Sequence, residues 1–175
     1  MNILNNLNLA KEAAIEAGKI LTTSKANLNI EKTSDGKDIK LKADVEDERI
    51  IKNHISNKSN LPMLGEETGK SVEDLGRSFW VIDPLDGTAN YSRGIPICCV
   101  SIALIHDMQP VVGVIYDFNR QELFTGSIKH SAQLNGKDIK VIQNDIRNIA
   151  GIGMPDNVKK LLASGTDLST VYAPY

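Results

Sequence analysis

The chain has two cysteines, and they are neighbours, Cys98 and Cys99. Adjacent cysteines cannot staple a framework. This excludes a disulfide-built scaffold, and the pair reads as reduced thiols in an apolar strand within a reducing, cytoplasmic compartment. No Cys-x-x-Cys spacing supports a redox pair. No apolar run approaches the ~20 residues that a membrane span needs. The first residues, Met1 to Leu7, lack the basic region and long apolar core of a signal peptide. Basic residues form no stripe. Twenty Lys and Arg stand against 22 Asp and Glu, a net charge of −2, so the expected partners include neither nucleic acid nor membrane. His54, His106 and His130 show no ligand spacing. A phosphate-binding Gly-x-x-x-x-Gly-Lys-Ser/Thr loop and a nucleophile elbow are both missing, which argues against a nucleotide triphosphatase or a serine hydrolase.

What is present suits one domain or a little more. The apolar fraction, 41%, is ordinary for a protein with a packed core. Residues 7–23 have helical spacing in Leu9, Ala13, Ala17, Ile20 and Leu21. Residues 31–42 are charged, with Asp35-Gly36 as a hairpin turn signal and Lys37, Ile39 and Leu41 alternating as a weak exposed strand. Residues 44–57 read as a second helix. Asp44 is its cap, Glu46, Asp47 and Glu48 occupy its first turn, and Ile50, Ile51, His54 and Ile55 face inward. Strands follow at Leu61–Leu64, Phe79–Ile82, Ile97–Ile105, Val111–Tyr116 and Glu122–Thr125, the last three as an antiparallel meander. Asn135-Gly136 signals a further hairpin, ending in Ile139–Ile142. Ile149–Ile152 suggests another strand, Pro155–Leu162 a helix, and Val171 onward the start of a strand. Helices first and a meander afterwards predict an α+β fold.

The chemistry concentrates in Trp80-Val81-Ile82-Asp83-Pro84-Leu85-Asp86-Gly87-Thr88-Ala89-Asn90-Tyr91. An apolar strand delivers Asp83. A proline-stiffened turn delivers Asp86 three residues later. Such a turn can aim both carboxylates, and the Leu85 carbonyl, at one hard cation. Gly87 permits positive φ, and Thr88 offers a hydroxyl and an N–H at a helix start, a natural phosphate cradle. Upstream, Glu66 and Glu67 follow another short apolar run. Their side chains diverge, so one at most is a direct ligand. Asp44 is either a cap or a partner of Thr88 in orienting a water nucleophile. Lys32 and Lys37 are candidates for screening phosphate charge. The bland alternative, an Asx-turn beside a solvated acidic loop, fits Asp-Pro-x-Asp-Gly alone but not the longer string.

These residues resemble the inositol monophosphatase family of magnesium-dependent, lithium-sensitive phosphatases. The matching motifs are Gly65-Glu66-Glu67 and Trp80 to Tyr91. A looser match runs from Asp38 to Asp44, where Leu41 or Lys42 stands at the family's threonine position. The resemblance implies a layered αβαβα fold and a homodimer acting on a small phosphate ester. Glu66, Asp83 and the Leu85 carbonyl would hold one Mg2+, with Mn2+ possible in its place, and Asp83 and Asp86 a second. Thr88 and Asp44 would position the attacking water. The Gly87 and Thr88 amides would hold phosphate beside Asp86, and Glu67 would belong to the catalytic shell around the metals. Substrates implied are inositol phosphates or related polyol or sugar phosphates. A 3′(2′),5′-bisphosphate nucleotidase, a fructose-bisphosphatase-like enzyme and a histidinol phosphatase are alternatives. The family's later Trp-Asp-x-Ala-x-Gly-type motif has no counterpart, since Trp80 is the only tryptophan. The expectation is therefore a metal-binding catalytic subdomain over residues 1–147 and the start of an incomplete C-terminal subdomain over 148–175. Such a chain would be a weak catalyst, or an inactive metal-binding or dimerising module.

Overall fold

A helix can begin only where something accepts its first N–H groups, and Asn2 supplies that acceptor: its Oδ1 takes a hydrogen bond from the Asn5 amide at 3.1 Å. In the computed structural model helix α1 therefore runs Ile3–Thr23, starting four residues before the apolar periodicity suggests. The structure describes residues 1–23, 31–34 and 39–141, with the backbone alone for 31–34 and 39–43. These residues form one unit, Met1–Lys140; the other, Val141–Tyr175, lies outside them apart from Val141. The expected strands at Ile149–Ile152 and Val171 and the helix at Pro155–Leu162 fall there.

Two short strands, β1 (Glu31–Ser34) and β2 (Ile39–Leu41), pair antiparallel on either side of Asp35-Gly36, which is outside the described residues. Helix α2 follows at once, Lys42–Ser56. It starts two residues before Asp44, so Asp44 lies inside the first turn and does not cap it. Ile51 and Ile55 are fully buried as expected, whereas Ile50 and His54 are only partly covered. Asp47 and Glu48 also face inward, fully buried, and are not the solvated first-turn acids that the helix dipole alone would explain. They stand at i+3 and i+4 from Asp44, on the face that Ile51 and Ile55 continue.

The second sheet has the order β10-β9-β8-β7-β6-β5-β3-β4. Its strands are β3 (Met63–Gly65), β4 (Gly69–Lys70), β5 (Ser78–Asp86), β6 (Cys99–His106), β7 (Gln109–Asp117), β8 (Glu122–Ser127), β9 (His130–Leu134) and β10 (Lys137–Asp138). The expected meander is present from β6 to β9, and Asn135-Gly136 turns β9 into β10 with φ of 49° and 78°. The last strand is only two residues long and precedes Ile139. Every pairing is antiparallel except β3 with β5, which is parallel. The fold is α+β.

One sheet face is built for helices. Trp80 and Ile82 on β5, Ile102 and Leu104 on β6 and Val112 and Val114 on β7 all point to it, and the apolar stripe of α1 lies in the same core. Small residues Ala10, Ala13, Ala14, Ala17 and Gly18 bring α1 close. Tyr91, in the short helix α3 (Thr88–Ser92), donates its hydroxyl to the Leu21 carbonyl at 2.8 Å, binding the end of α1 to the segment after β5. Among the described residues no helix is long and apolar enough to cross a membrane.

Helix α1 packs tightly on the end of β7 at Gly18, where a Cβ would lie 2.6 Å from Tyr116 Cε1 and 2.9 Å from Phe118 Cβ. Gly18→Val should lower stability by about 1–3 kcal/mol through forced repacking. Urea unfolding measures this, and an unchanged midpoint would contradict the packing described.

Candidate active site at the ends of β3 and β5

Register brings the acidic motifs together. In the parallel pair, Met63 faces Trp80, Leu64 faces Val81 and Gly65 faces Ile82. The next residues are Glu66 and Asp83, and the Glu66 amide donates to the Ile82 carbonyl at 3.1 Å. On the other side β5 pairs with β6, Asp83 opposite Ser101 and Asp86 opposite Cys99, with the register shifting between them. Three steps along β5 thus match two along β6. This is a bulge of one residue within a continuing strand, not the tight turn expected from sequence. Its consequence is parity. Residues i and i+3 of a regular strand point to opposite faces, but the bulge puts Asp83 and Asp86 on the face shared by Ser101 and Cys99. Pro84, which has no N–H to give a ladder, occupies the interruption. The Leu85 amide donates to Asp83 Oδ1 at 3.1 Å.

Gly87 follows with φ of 89° and starts α3. Its carbonyl accepts from the Asn90 and Tyr91 amides at 2.9 and 3.0 Å. The Thr88 hydroxyl lies 2.9 Å from the Leu85 carbonyl and 3.5 Å from Asp44 Oδ1, so α2 and the β5–α3 junction meet at Thr88 and Asp44. Cys99 Sγ lies 3.8 Å from Asp86 Oδ2.

Electrostatics mark the same place. Burial first, then the hydrogen bond and charge of Glu66 and the charge of Asp86, push the Asp83 carboxyl up to about 7. Burial, followed by the charges of Asp86 and Asp83, pushes the Cys99 thiol up to about 12. Carboxylates gathered in a half-buried setting disfavour one another's ionisation, and a divalent cation reverses that preference. The donors Glu66, Asp83, Asp86 and the Leu85 carbonyl are all oxygen, the set a hard cation takes, and in this respect they fit magnesium or manganese. They meet in pairs around Asp83. Among the described residues no three His, Cys, Asp or Glu side chains converge as a single metal cluster. Lys32 and Lys37 lie outside the described side chains.

Glu48 is the site residue that sequence reasoning passed over. It accepts from the Glu67 amide at 2.7 Å, the Thr68 amide at 3.2 Å, the Thr68 hydroxyl and Lys52 Nζ at 2.9 Å. Burial would raise its carboxyl, but the bonds from Thr68, Lys52 and the Glu67 amide prevail and hold it below the usual range. A Cβ at Gly65 would lie 2.2 Å from Glu48 Oε1, so any larger residue there would have to push the Glu48 carboxylate from its place. Glu48 therefore fixes the Glu66-Glu67 loop, and Glu67 joins the site through its own amide. The signal in the sequence was the four-residue spacing from Asp44, which places both acids on one helix face.

Asp47 differs. It is fully buried, and among the described residues neither carboxyl oxygen has a hydrogen-bond partner. Burial, then the charges of Asp44 and Glu46, push it up to about 8.

An α+β protein with oxygen donors at a strand end beside a glycine turn is the class defined by these features. The chain belongs to the inositol monophosphatase family, whose sequence model matches residues 5–171. Inositol monophosphatase 3 of Solanum lycopersicum is 38% identical over 141 residues, 77% of this chain and 52% of that protein. The fructose-1,6-bisphosphatase/inositol-1-monophosphatase of Aquifex aeolicus is 33% identical over 165 residues, 91% of this chain and 62% of that protein. The solved inositol monophosphatase from Anabaena (Nostoc) sp. PCC 7120 matches with a TM-score of 0.69 at 35% identity, covering 85% of this chain and 53% of the other. The chain spans about half the length of the curated relatives it matches.

The raised Asp47 carboxyl makes a signed prediction. The folded protein binds this proton more tightly than the unfolded chain. The stability it contributes is complete below about pH 4 and is lost as pH rises towards 8. Asp47→Asn removes the titration, so the stability of the variant relative to wild type should rise between pH 5 and pH 8.5. Urea midpoints at several pH values test this; a difference independent of pH would contradict it.

Proposed function

We propose that this chain carries the catalytic face of a magnesium-dependent phosphate-monoester hydrolase acting on inositol phosphate or a related polyol or sugar phosphate. The observation that carries the reading is the placement of Asp83 beside Glu66 and Asp86, with Gly87 and Thr88 immediately following. Glu66, Asp83, the Leu85 carbonyl and Asp86 would hold Mg2+ or Mn2+, which when bound lowers the pKa of water and neutralises charge on the departing oxygen. The rest falls to the chain's own groups. Backbone amides of Gly87 and Thr88 hold the phosphate oxygens next to Asp86. The Thr88 hydroxyl donates to the Leu85 carbonyl at 2.9 Å and lies 3.5 Å from Asp44; turned from that carbonyl to Asp44, it would accept a proton of the attacking water while its own passes to buried Asp44 as base. Glu67 stands in the surrounding shell, placed by Glu48.

The reading extends to the family's small-molecule ester substrates and to homodimeric assembly in the cytoplasm, the last in keeping with two free thiols. Residues 1–147 would form the metal-binding catalytic part and 148–175 the start of a C-terminal subdomain. The shared name of the Aquifex aeolicus relative favours fructose bisphosphate as a second ester to assay.

Magnesium titrated into wild type by calorimetry should give saturable heat, and Asp83→Asn should lose it; equal binding in both would remove Asp83 as a ligand. Thr88→Ala should slow turnover by about 10²–10⁴-fold while inorganic phosphate still binds. A panel of inositol, fructose, adenosine bisphosphate and histidinol phosphates, with and without magnesium, measures turnover. No magnesium-dependent hydrolysis of any ester would favour the non-catalytic module instead.

A further inference from the structure

The Gly87 turn is not held by its own strand alone. Gly87 lies directly against the Ile97 carbonyl, where a Cβ would be 2.7 Å from that oxygen and 3.1 Å from Cys98 Cα. The place of the turn is therefore set by the Pro96–Cys98 segment, and that segment is gripped from two directions. Asn90 Nδ2 donates to the Ile97 carbonyl at 2.8 Å. From the other side, the turn between β7 and β8 reaches across. Arg120 Nη1 donates to the Pro96 carbonyl at 3.1 Å, and Asn119 Nδ2 contacts Cys98 Sγ at 3.3 Å. That turn is itself braced. Asp117 Oδ2 pairs with Arg120 Nη1 at 2.5 Å, while Asp117 Oδ1 accepts the Asn119 and Arg120 amides, both at 3.0 Å. Between turn and segment lies a pocket of 310 Å³, with Asp86 and Gly87 in one part of its lining and Asp117 and Arg120 in another.

We propose that Arg120 is a positioning residue for the phosphate site: held by Asp117, it clamps the Pro96–Cys98 segment against Gly87 and so fixes where the Gly87 and Thr88 amides point. The inference rests on the reading of those amides as phosphate donors. Donors aimed in advance are worth far more than donors that must be ordered when the ligand arrives, and small displacements of a positioned group cost rate steeply. The Arg120 guanidinium reaches two acceptors from one nitrogen, so losing the side chain removes the anchor on Pro96 and loosens the segment without touching the phosphate itself. Half-exposed ion pairs such as Arg120 with Asp117 contribute little to global stability. A purely structural role would thus leave the Gly87 turn unchanged.

Hydrogen exchange on the whole chain reads the clamp directly, through the Asn90 and Tyr91 amides that close on the Gly87 carbonyl. In Arg120→Ala both should exchange faster, on the order of tenfold, while Leu104 in the centre of β6 stays protected. Arg120→Lys should restore part of the protection. Inorganic phosphate titrated in the presence of magnesium should bind about tenfold more weakly to Arg120→Ala, and KM should rise more than kcat falls. Unchanged exchange at Asn90 and Tyr91 overturns the clamp, as does a loss of protection that spreads equally to Leu104. If exchange responds as expected but wild type binds no phosphate, the phosphate reading of the turn fails and the clamp on Gly87 stands.

Discussion

A parallel strand pair and a one-residue bulge force three carboxyl groups toward one edge of the sheet, and the surrounding structure depends on that enforced proximity. Parallel pairing of β3 with β5 makes Glu66 the neighbour of Asp83. The bulge against β6 then turns Asp86 to the same face as Asp83. Neither effect is local in sequence, and each opposes what isolated carboxylates prefer. Burial first, then the hydrogen bond and charge of Glu66 and the charge of Asp86, hold the Asp83 proton to about 7. A fold that keeps like charges together against their repulsion needs firm anchors on both sides.

Helix α2 and the segment after Gly87 provide them. Glu48 collects two amides and a hydroxyl from the loop that carries Glu66, and Lys52 from its own helix, so its buried charge is satisfied. Asp44, one turn earlier, meets Thr88 from the same helix face. Asp47 lies between them without a hydrogen-bond partner among the described residues, an exception to the rule that buried polar groups are bonded. The opposite anchor is made of backbone. Gly87 sits against Ile97, Asn90 and Arg120 hold the carbonyls of Ile97 and Pro96, and Tyr91 reaches back to Leu21 at the end of α1. The site is thus suspended between the helical layer and the β7–β8 turn.

How much of this could be read from sequence depends on the range of the interactions. The meander, both long helices and the Trp80–Tyr91 string announce themselves through period, turn residues and spacing, all of them local. The start of α1 was hidden because Asn2 is one of several asparagines and its capping role depends on geometry. Asp-Pro-Leu-Asp-Gly is turn-like by itself, and only counting against Ser101 and Cys99 reveals the extra residue of the bulge. The burial of Glu48 and Asp47 has no local signal, since the partners of Glu48 in the acidic loop lie 19 and 20 residues away and a buried acid has no signature in composition. Arg120 reads from sequence as a hairpin-turn residue and no more, because its target carbonyl is 24 residues earlier.

The central claim is that Asp83, flanked by Glu66 and Asp86, is the place where a divalent cation is held. Anomalous diffraction from crystals of this chain grown with manganese and inorganic phosphate tests it most directly. The account predicts a manganese peak in direct contact with Asp83 and at least one of Glu66 and Asp86, with phosphate beside the Gly87 and Thr88 amides. Well-ordered crystals whose manganese peaks all lie elsewhere on the surface, with Asp83 contacting none, would contradict it.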